Sequence, residues 1–260
     1  MPKLRVNNSG IYFEVTGQGE PLLFIHGLAS SSRSWKKQVP LFSQHYRVIT
    51  FDIRGHGRSD KPIEPYSIEL FASDTRELMR TIGISSAHVV GFSMGGMVAF
   101  QLAVDAPELV RSLVAVNCCP EGYMRTFNDG VECFKHMISL PLRGMRKKMP
   151  DGDKQTEPTS CTENQHRSVI QRMAVNNKLA YANAFGALIK WSVADRLADI
   201  NCPTLMITSD ADFVPVSVKR GYASKMPRAE LVVINNSRHA APRERTEEFN
   251  SILLEFVSKH

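Results

Sequence analysis

A serine hydroxyl becomes a nucleophile at neutral pH only beside a base that takes its proton, and the base needs a carboxylate to orient it. The 260-residue chain offers well-set candidates for each part. Ser93 lies at the centre of Gly91-Phe92-Ser93-Met94-Gly95-Gly96, between the apolar runs Ala87-His88-Val89-Val90 and Met97-Val98-Ala99-Phe100. A strand that turns at once into a helix around Gly-x-Ser-x-Gly forces the serine into a strained elbow, with its hydroxyl exposed above the sheet. Side chains two positions before and after it would collide in so sharp a turn. Gly91 and Gly95 avoid that collision, and Gly96 lets the helix pack close to the strand.

For the base, His239 follows the last expected strand, in Asn235-Asn236-Ser237-Arg238-His239, and precedes the final helix. The other histidines fit less well. His26 precedes a loop glycine, His56 sits in Arg54-Gly55-His56-Gly57-Arg58-Ser59, His88 lies inside a strand, and His45, His136, His166 and His260 have no motif around them. For the acid, Ser209-Asp210-Ala211-Asp212-Phe213-Val214-Pro215 offers two aspartates at a strand end, one of which could simply cap the turn or the next helix. Asp212 is preferred over Asp210 because Asp-x-x-Pro is the usual setting of such an acid.

These residues need a scaffold that brings strand ends together. Short apolar runs alternate with amphipathic stretches, the pattern of a mostly parallel sheet covered by helices on both faces. Strands are expected at 11–15, 21–25, 46–51, 87–92, 110–116, 204–209 and 231–234, with Asn7-Asn8-Ser9-Gly10 marking an opening hairpin. Helices are expected at 34–42, 67–82, 94–105, 217–226 and 246–258. Between Asn117 and Ile200 the alternation stops. An excursion of that length needs structure of its own, and it contains helix-like runs at 168–175 and 179–191. The expected organisation is a core over residues 1–118 and 199–260, interrupted by a helical cap over 119–198.

Composition narrows the function. Hydrophobic residues make up 43% and charged residues 22% of the chain, ordinary for a globular protein. The formal charge of +6 is scattered. Its densest cluster, Arg143-Gly144-Met145-Arg146-Lys147-Lys148, lacks interleaved aromatics and reads as a solvated helix end rather than a nucleic-acid surface. No run approaches eighteen apolar residues, the N-terminus lacks an apolar signal core, and the five cysteines show no zinc-type pairing. A reduced cytoplasmic protein with no membrane, nucleic-acid, metal or organic-cofactor partner is expected, and the sequence sets no oligomeric state.

The order Ser93, Asp212, His239, together with Leu22-Leu23-Phe24-Ile25-His26-Gly27, Phe51-Asp52-Ile53-Arg54-Gly55-His56-Gly57-Arg58-Ser59, 195–203 and Arg238-His239-Ala240-Ala241-Pro242, resembles the α/β-hydrolase superfamily over nearly the whole chain. The resemblance implies that the backbone N–H groups of Leu28 and Met94 form an oxyanion hole. It also implies loop-shaping rather than chemical roles for His26, Asp52, Arg54, Gly55 and Gly57. Two departures stand out: Arg238 and Thr208-Ser209 occupy places where the family often has glycine.

Within the superfamily, a serine at the elbow argues against the dehalogenases and epoxide hydrolases that use Asp. Asn183-Ala184-Phe185-Gly186-Ala187-Leu188 resembles enol-lactone hydrolases and small-ester carboxylesterases, and the elbow also resembles cofactor-free haloperoxidases. A small carboxylic ester or lactone is the expected substrate. Perhydrolysis and carbon–carbon bond hydrolysis are the alternatives within the fold, and a slow-turnover ligand receptor is the alternative of another class. Apolar cap residues, among them Phe134 and Trp191, are expected either to line a substrate pocket or to seal the cap onto the core.

Overall fold

A computed structural model describes residues 3–122, 178–189 and 191–260. Eight strands form one sheet: β1 (Lys3–Val6), β2 (Ser9–Thr16), β3 (Glu20–Ile25), β4 (Tyr46–Phe51), β5 (Ala87–Phe92), β6 (Val110–Val116), β7 (Thr204–Ser209) and β8 (Ala229–Ile234). Their order is β1-β2-β4-β3-β5-β6-β7-β8. The β1–β2 and β2–β4 pairs are antiparallel and all the others parallel, which matches the expected α/β-hydrolase architecture. The opening hairpin turns on Asn7 and Asn8, whose φ angles of 45° and 62° are those of a two-residue turn matching the strand twist.

The central strands are near-continuous apolar runs because both faces of the sheet are covered. On one face lie α2 (Ile68–Thr81) and α3 (Met94–Asp105), with Phe71, Leu78, Met79, Val98 and Phe100 fully buried. The other face takes α1 (Val39–Phe42) and the last helix, α7 (Thr246–Val257), whose Phe249 and Leu253 pack in one cluster with Phe24, Trp35 and Phe42. The remaining helices among the described residues are α4 (Lys178–Gly186), α5 (Val216–Ala223) and α6 (Ala241–Glu244). The helix α2 begins where Ser67 accepts a hydrogen bond from the Leu70 N–H, a side-chain cap on an otherwise orphaned donor.

Two expected helices are corrected. The run 34–42 is two pieces, a 3-10 turn at Ser32–Trp35 and then α1, because Pro40 is tolerated only in a first turn and so forces a fresh start. The run 179–191 stops at Gly186, a residue that weakens a helix interior and leaves the chain free to turn. Trp191 instead joins the stitch at the base of the insertion, where Glu121 bridges Ser192 and the Gly122 N–H donates to the Trp191 carbonyl at 2.7 Å. The expected helix at 168–175 lies outside the described residues.

One buried ion pair ties the loop after β4 to α2. Arg54 donates to both carboxylate oxygens of Asp74, at 2.5 and 2.6 Å, and Asn7 donates to the same carboxylate at 3.0 Å. Asp74→Ala leaves a buried guanidinium without its partner, and breaking such a pair costs about 3–5 kcal/mol. Urea denaturation of the variant is expected to register a loss of that size. An unchanged midpoint would mean that the pair does not hold this loop.

Candidate active site

Ser93 sits between β5 and α3 with φ 55° and ψ −121°, a sparsely populated backbone conformation that costs about 1–3 kcal/mol outside glycine. The surroundings hold it there. Its N–H donates to the Val116 carbonyl at 2.9 Å, and its own carbonyl accepts from Gly96 and Met97 at the start of α3. A Cβ at Gly91 would lie 2.2 Å from the Gly95 carbonyl oxygen, and one at Gly95 would lie 2.3 Å from that of Ile25. The glycines are therefore required by close backbone approach, as the motif predicts.

The chain then brings residues 93, 212 and 239 into one line. The imidazole Nε2 of His239 lies 3.0 Å from Ser93 Oγ, and Nδ1 lies 2.7 Å from Asp212 Oδ1. Donation from Nδ1–H to the carboxylate leaves Nε2 as an acceptor for the serine proton. The ring is flanked by Phe92 and by the partly exposed Phe213, at centroid distances of 5.1 and 4.5 Å. Asp210 does not face the imidazole: its carboxylate accepts the backbone N–H groups of Asn236 and Ser237, bracing the loop that carries His239.

The Asp212 side chain is fully buried and has a second partner, Lys219 on α5. The ammonium donates to Asp212 Oδ2, to Thr208 Oγ1 at 2.7 Å and to Asn117 Oδ1 at 3.3 Å. Burial pushes the Asp212 carboxyl upward, but the hydrogen bonds and charges of His239 and Lys219 outweigh it and hold the group below the ordinary carboxylate range. Asn117, at the end of β6, also donates to the His239 carbonyl at 2.8 Å and to Ser209 Oγ at 2.9 Å. One amide thus joins β6, β7 and the histidine loop.

Neither Lys219 nor Asn117 emerges from sequence reasoning. Asn117 stands just past a strand end, where functional groups gather, and that position was its only signal. Lys219 carries none, because the contact depends on where α5 lies against β7. Thr208 and Ser209, where the family often has glycine, supply side-chain oxygens that anchor Lys219 and Asn117. Arg238 has no positive φ, so its place needs no glycine, and its N–H donates to Glu244 at 2.6 Å.

The loop after β3 runs against the elbow. A Cβ on Gly27 would lie 3.2 Å from the Phe92 carbonyl oxygen and from Ser93 Cβ. Among the described residues, the backbone N–H groups of Leu28 and Met94 donate to no protein acceptor. His26 pins this loop, its Nδ1–H donating to the Gly27 carbonyl at 2.8 Å and its Nε2 accepting the Ile53 N–H at 3.0 Å. Burial pushes the imidazoles of His26 and His56 down, the latter to about 3, so both stay neutral. Asp52 accepts from the Ser32 and Arg58 N–H groups, each at 2.7 Å, and joins the same two loops.

Trp191 is buried, and its indole N–H donates to Gln101 Oε1 at 2.7 Å. Gln101 lies on α3, about 12 Å of helix rise beyond Ser93, so this hydrogen bond ties the segment before β7 to α3. Phe134 lies outside the described residues. Among the described residues, no cluster of His, Cys, Asp and Glu has the makings of a metal site, and no helix is long and apolar enough to cross a membrane.

A parallel sheet with a strained serine at a strand–helix elbow, a histidine after the last strand and an acid after the strand before it defines an α/β hydrolase. The family profile described as alpha/beta hydrolase fold matches residues 20–245, and the chain belongs to that family. RutD of Azorhizobium caulinodans, assigned as a carbamate hydrolase, is 27% identical over 272 residues, covering 100% of this chain and 99% of that one. A Synechocystis protein assigned as a non-heme chloroperoxidase is 30% identical over 264 residues, covering 95% and 94%. Among solved structures, Est816, described as an N-acyl homoserine lactone degrading enzyme, superposes with a TM-score of 0.82 at 28% identity, covering 98% and 100%.

The elbow makes a direct prediction. Gly95→Ala places a methyl group against backbone that cannot yield cheaply, and overpacking of this kind costs about 1–3 kcal/mol. Thermal and urea unfolding are expected to show that loss, whereas a variant as stable as the parent would mean that the elbow relaxes freely.

Proposed function

We propose that this α/β hydrolase is a serine hydrolase that cleaves a small carboxylic ester or lactone through an acyl-enzyme on Ser93. The observation that carries the reading is the continuous hydrogen-bonded line from Ser93 Oγ through His239 to Asp212. His239 takes the serine proton as Oγ attacks the carbonyl carbon, and it returns that proton to the departing alkoxide, leaving an ester on Ser93. A water molecule, deprotonated by the same imidazole, then attacks the acyl carbon and releases the carboxylic acid, restoring the hydroxyl. Asp212 keeps Nδ1 protonated and stabilises the imidazolium in both steps.

Negative charge develops on the carbonyl oxygen in each tetrahedral intermediate. The N–H groups of Leu28 and Met94 suit that oxygen, since neither has a protein acceptor among the described residues and the second opens α3 with its positive dipole end. One such donor is worth on the order of a hundredfold to a thousandfold in rate. Because these are main-chain groups, substitution at Leu28 is expected to alter pocket shape more than charge stabilisation.

The names of the relatives support an acyl carbon bearing a heteroatom leaving group, which a lactone and a carbamate share. No step in the scheme requires a metal or an organic cofactor.

Stopped-flow hydrolysis of p-nitrophenyl acetate and butyrate, beside a panel of lactones and carbamates, tests the proposal. Ser93→Ala and His239→Ala are each expected to lower kcat by at least about a thousandfold while unfolding like the parent. The wild-type rate is expected to fall on the acid side as His239 protonates and ceases to be a base. Full turnover by either variant overturns the scheme. A single serine-dependent burst without turnover would replace the enzyme with a ligand receptor of the same fold.

A further inference from the structure

The Lys219 side chain is 1% exposed, and its ammonium meets three oxygens, those of Asp212, Thr208 and Asn117. An ammonium has three N–H donors and no acceptor, so every donor is used and the head group has one orientation. A buried charge is expensive to desolvate, and a well-packed apolar side chain fills such a space at lower cost. Space-filling is therefore a poor account of this lysine.

Its contacts suggest a better one. Each oxygen of Asp212 has one partner: Oδ2 is taken by Lys219 and Oδ1 faces His239 Nδ1. With Oδ2 held from α5 and from the ends of β6 and β7, the carboxylate cannot rotate away from the imidazole without breaking a buried ion pair. The positive charge also offsets part of the field that Asp212 exerts on His239.

The other titratable and charged groups around this line leave that balance undisturbed. Burial pushes the thiols of Cys118 and Cys119 up, the latter to about 12, so both are uncharged. Asp210 is turned to the backbone of Asn236 and Ser237, Glu244 to the Arg238 N–H, and Glu121 to the Tyr222 hydroxyl.

Resting on the serine-hydrolase reading above, we infer that Lys219 is a positioning residue: it clamps Asp212 in the orientation His239 needs, and its charge keeps that imidazole available as a free base at lower pH than an Asp–His pair alone would allow. Thr208 and Asn117 serve the clamp by fixing the ammonium. The clamp balances two demands, since an unopposed carboxylate would hold the imidazolium more strongly but would also protonate the resting base at higher pH.

The test is a titration that does not require turnover. In a Ser93→Ala background, the ring 15N shifts of His239 are followed against pH with Lys219 present, with Lys219→Gln and with Lys219→Met. Loss of a neighbouring positive charge is expected to raise the midpoint by about one pH unit in both variants. Lys219→Arg, which keeps the charge, is expected to stay near the parent value. In the Ser93-containing protein, the acid limb of kcat/KM moves in the same direction.

A midpoint unchanged in the Gln and Met variants overturns the inference and leaves Lys219 as packing, and a lowered midpoint, the sign of a carboxylate that has swung away from the ring, overturns the charge role and keeps only the clamp. If neither variant folds, direct 15N detection of the Lys219 side chain in the parent decides it. A protonated ammonium throughout the His239 titration is required, and a neutral amine overturns the inference. Because the readout is His239 itself in an inactive background, this result is independent of whether Ser93 forms an acyl-enzyme.

Discussion

The structure of the site depends on how one buried carboxylate is shared. Asp212 is removed from water and would be costly to ionise alone, yet the proposed mechanism needs its charge beside the imidazole. Two cationic or donor partners, His239 on one oxygen and Lys219 on the other, make that ionisation favourable. Much of the surrounding architecture holds these partners in place: β7 ends beside Asp212, α5 supplies the lysine, and β6 ends in the asparagine that grips the histidine loop. A shift of any of these elements would misdirect the carboxylate before it touched the serine.

A second constraint acts at the elbow. Ser93 occupies a backbone region that L-residues avoid, and Gly91 and Gly95 lack the Cβ atoms that would collide with neighbouring backbone there. The strain is sustained because α3 is buried on nearly all sides and the Ser93 N–H is tied to β6. The same tight packing brings the loop after β3 against the serine, with His26 and Asp52 pinning that loop from behind. Rigid strand ends thus do most of the positioning, which suits a reaction that tolerates little displacement of its groups.

What was legible in the sequence follows from the range of the signal. The elbow is local: six consecutive residues specify a turn that excludes side chains, so Ser93 can be read directly. The sheet is nearly as clear, because buried parallel strands need continuous apolar runs, and every expected strand is present. The choice between Asp212 and Asp210 rested on spacing to Pro215, and the geometry turns only Asp212 toward the imidazole. Lys219 was invisible although Asp212 is only 7 residues away, because the contact depends on where α5 lies against β7 and a lysine on a helix ordinarily reads as solvent-facing. Trp191 stayed open between two readings for a related reason, since an apolar aromatic carries no mark of what it packs against until Gln101 is seen accepting its N–H.

The central claim is that Ser93 is acylated with His239 as its base. Acid-quenched mass spectrometry during the first turnover of p-nitrophenyl butyrate tests it most directly. The account predicts one butyryl group per chain, on the peptide that contains Ser93, and no such adduct in His239→Ala on the same timescale. Turnover of the ester without an adduct on Ser93, or with the adduct on another residue, would contradict it.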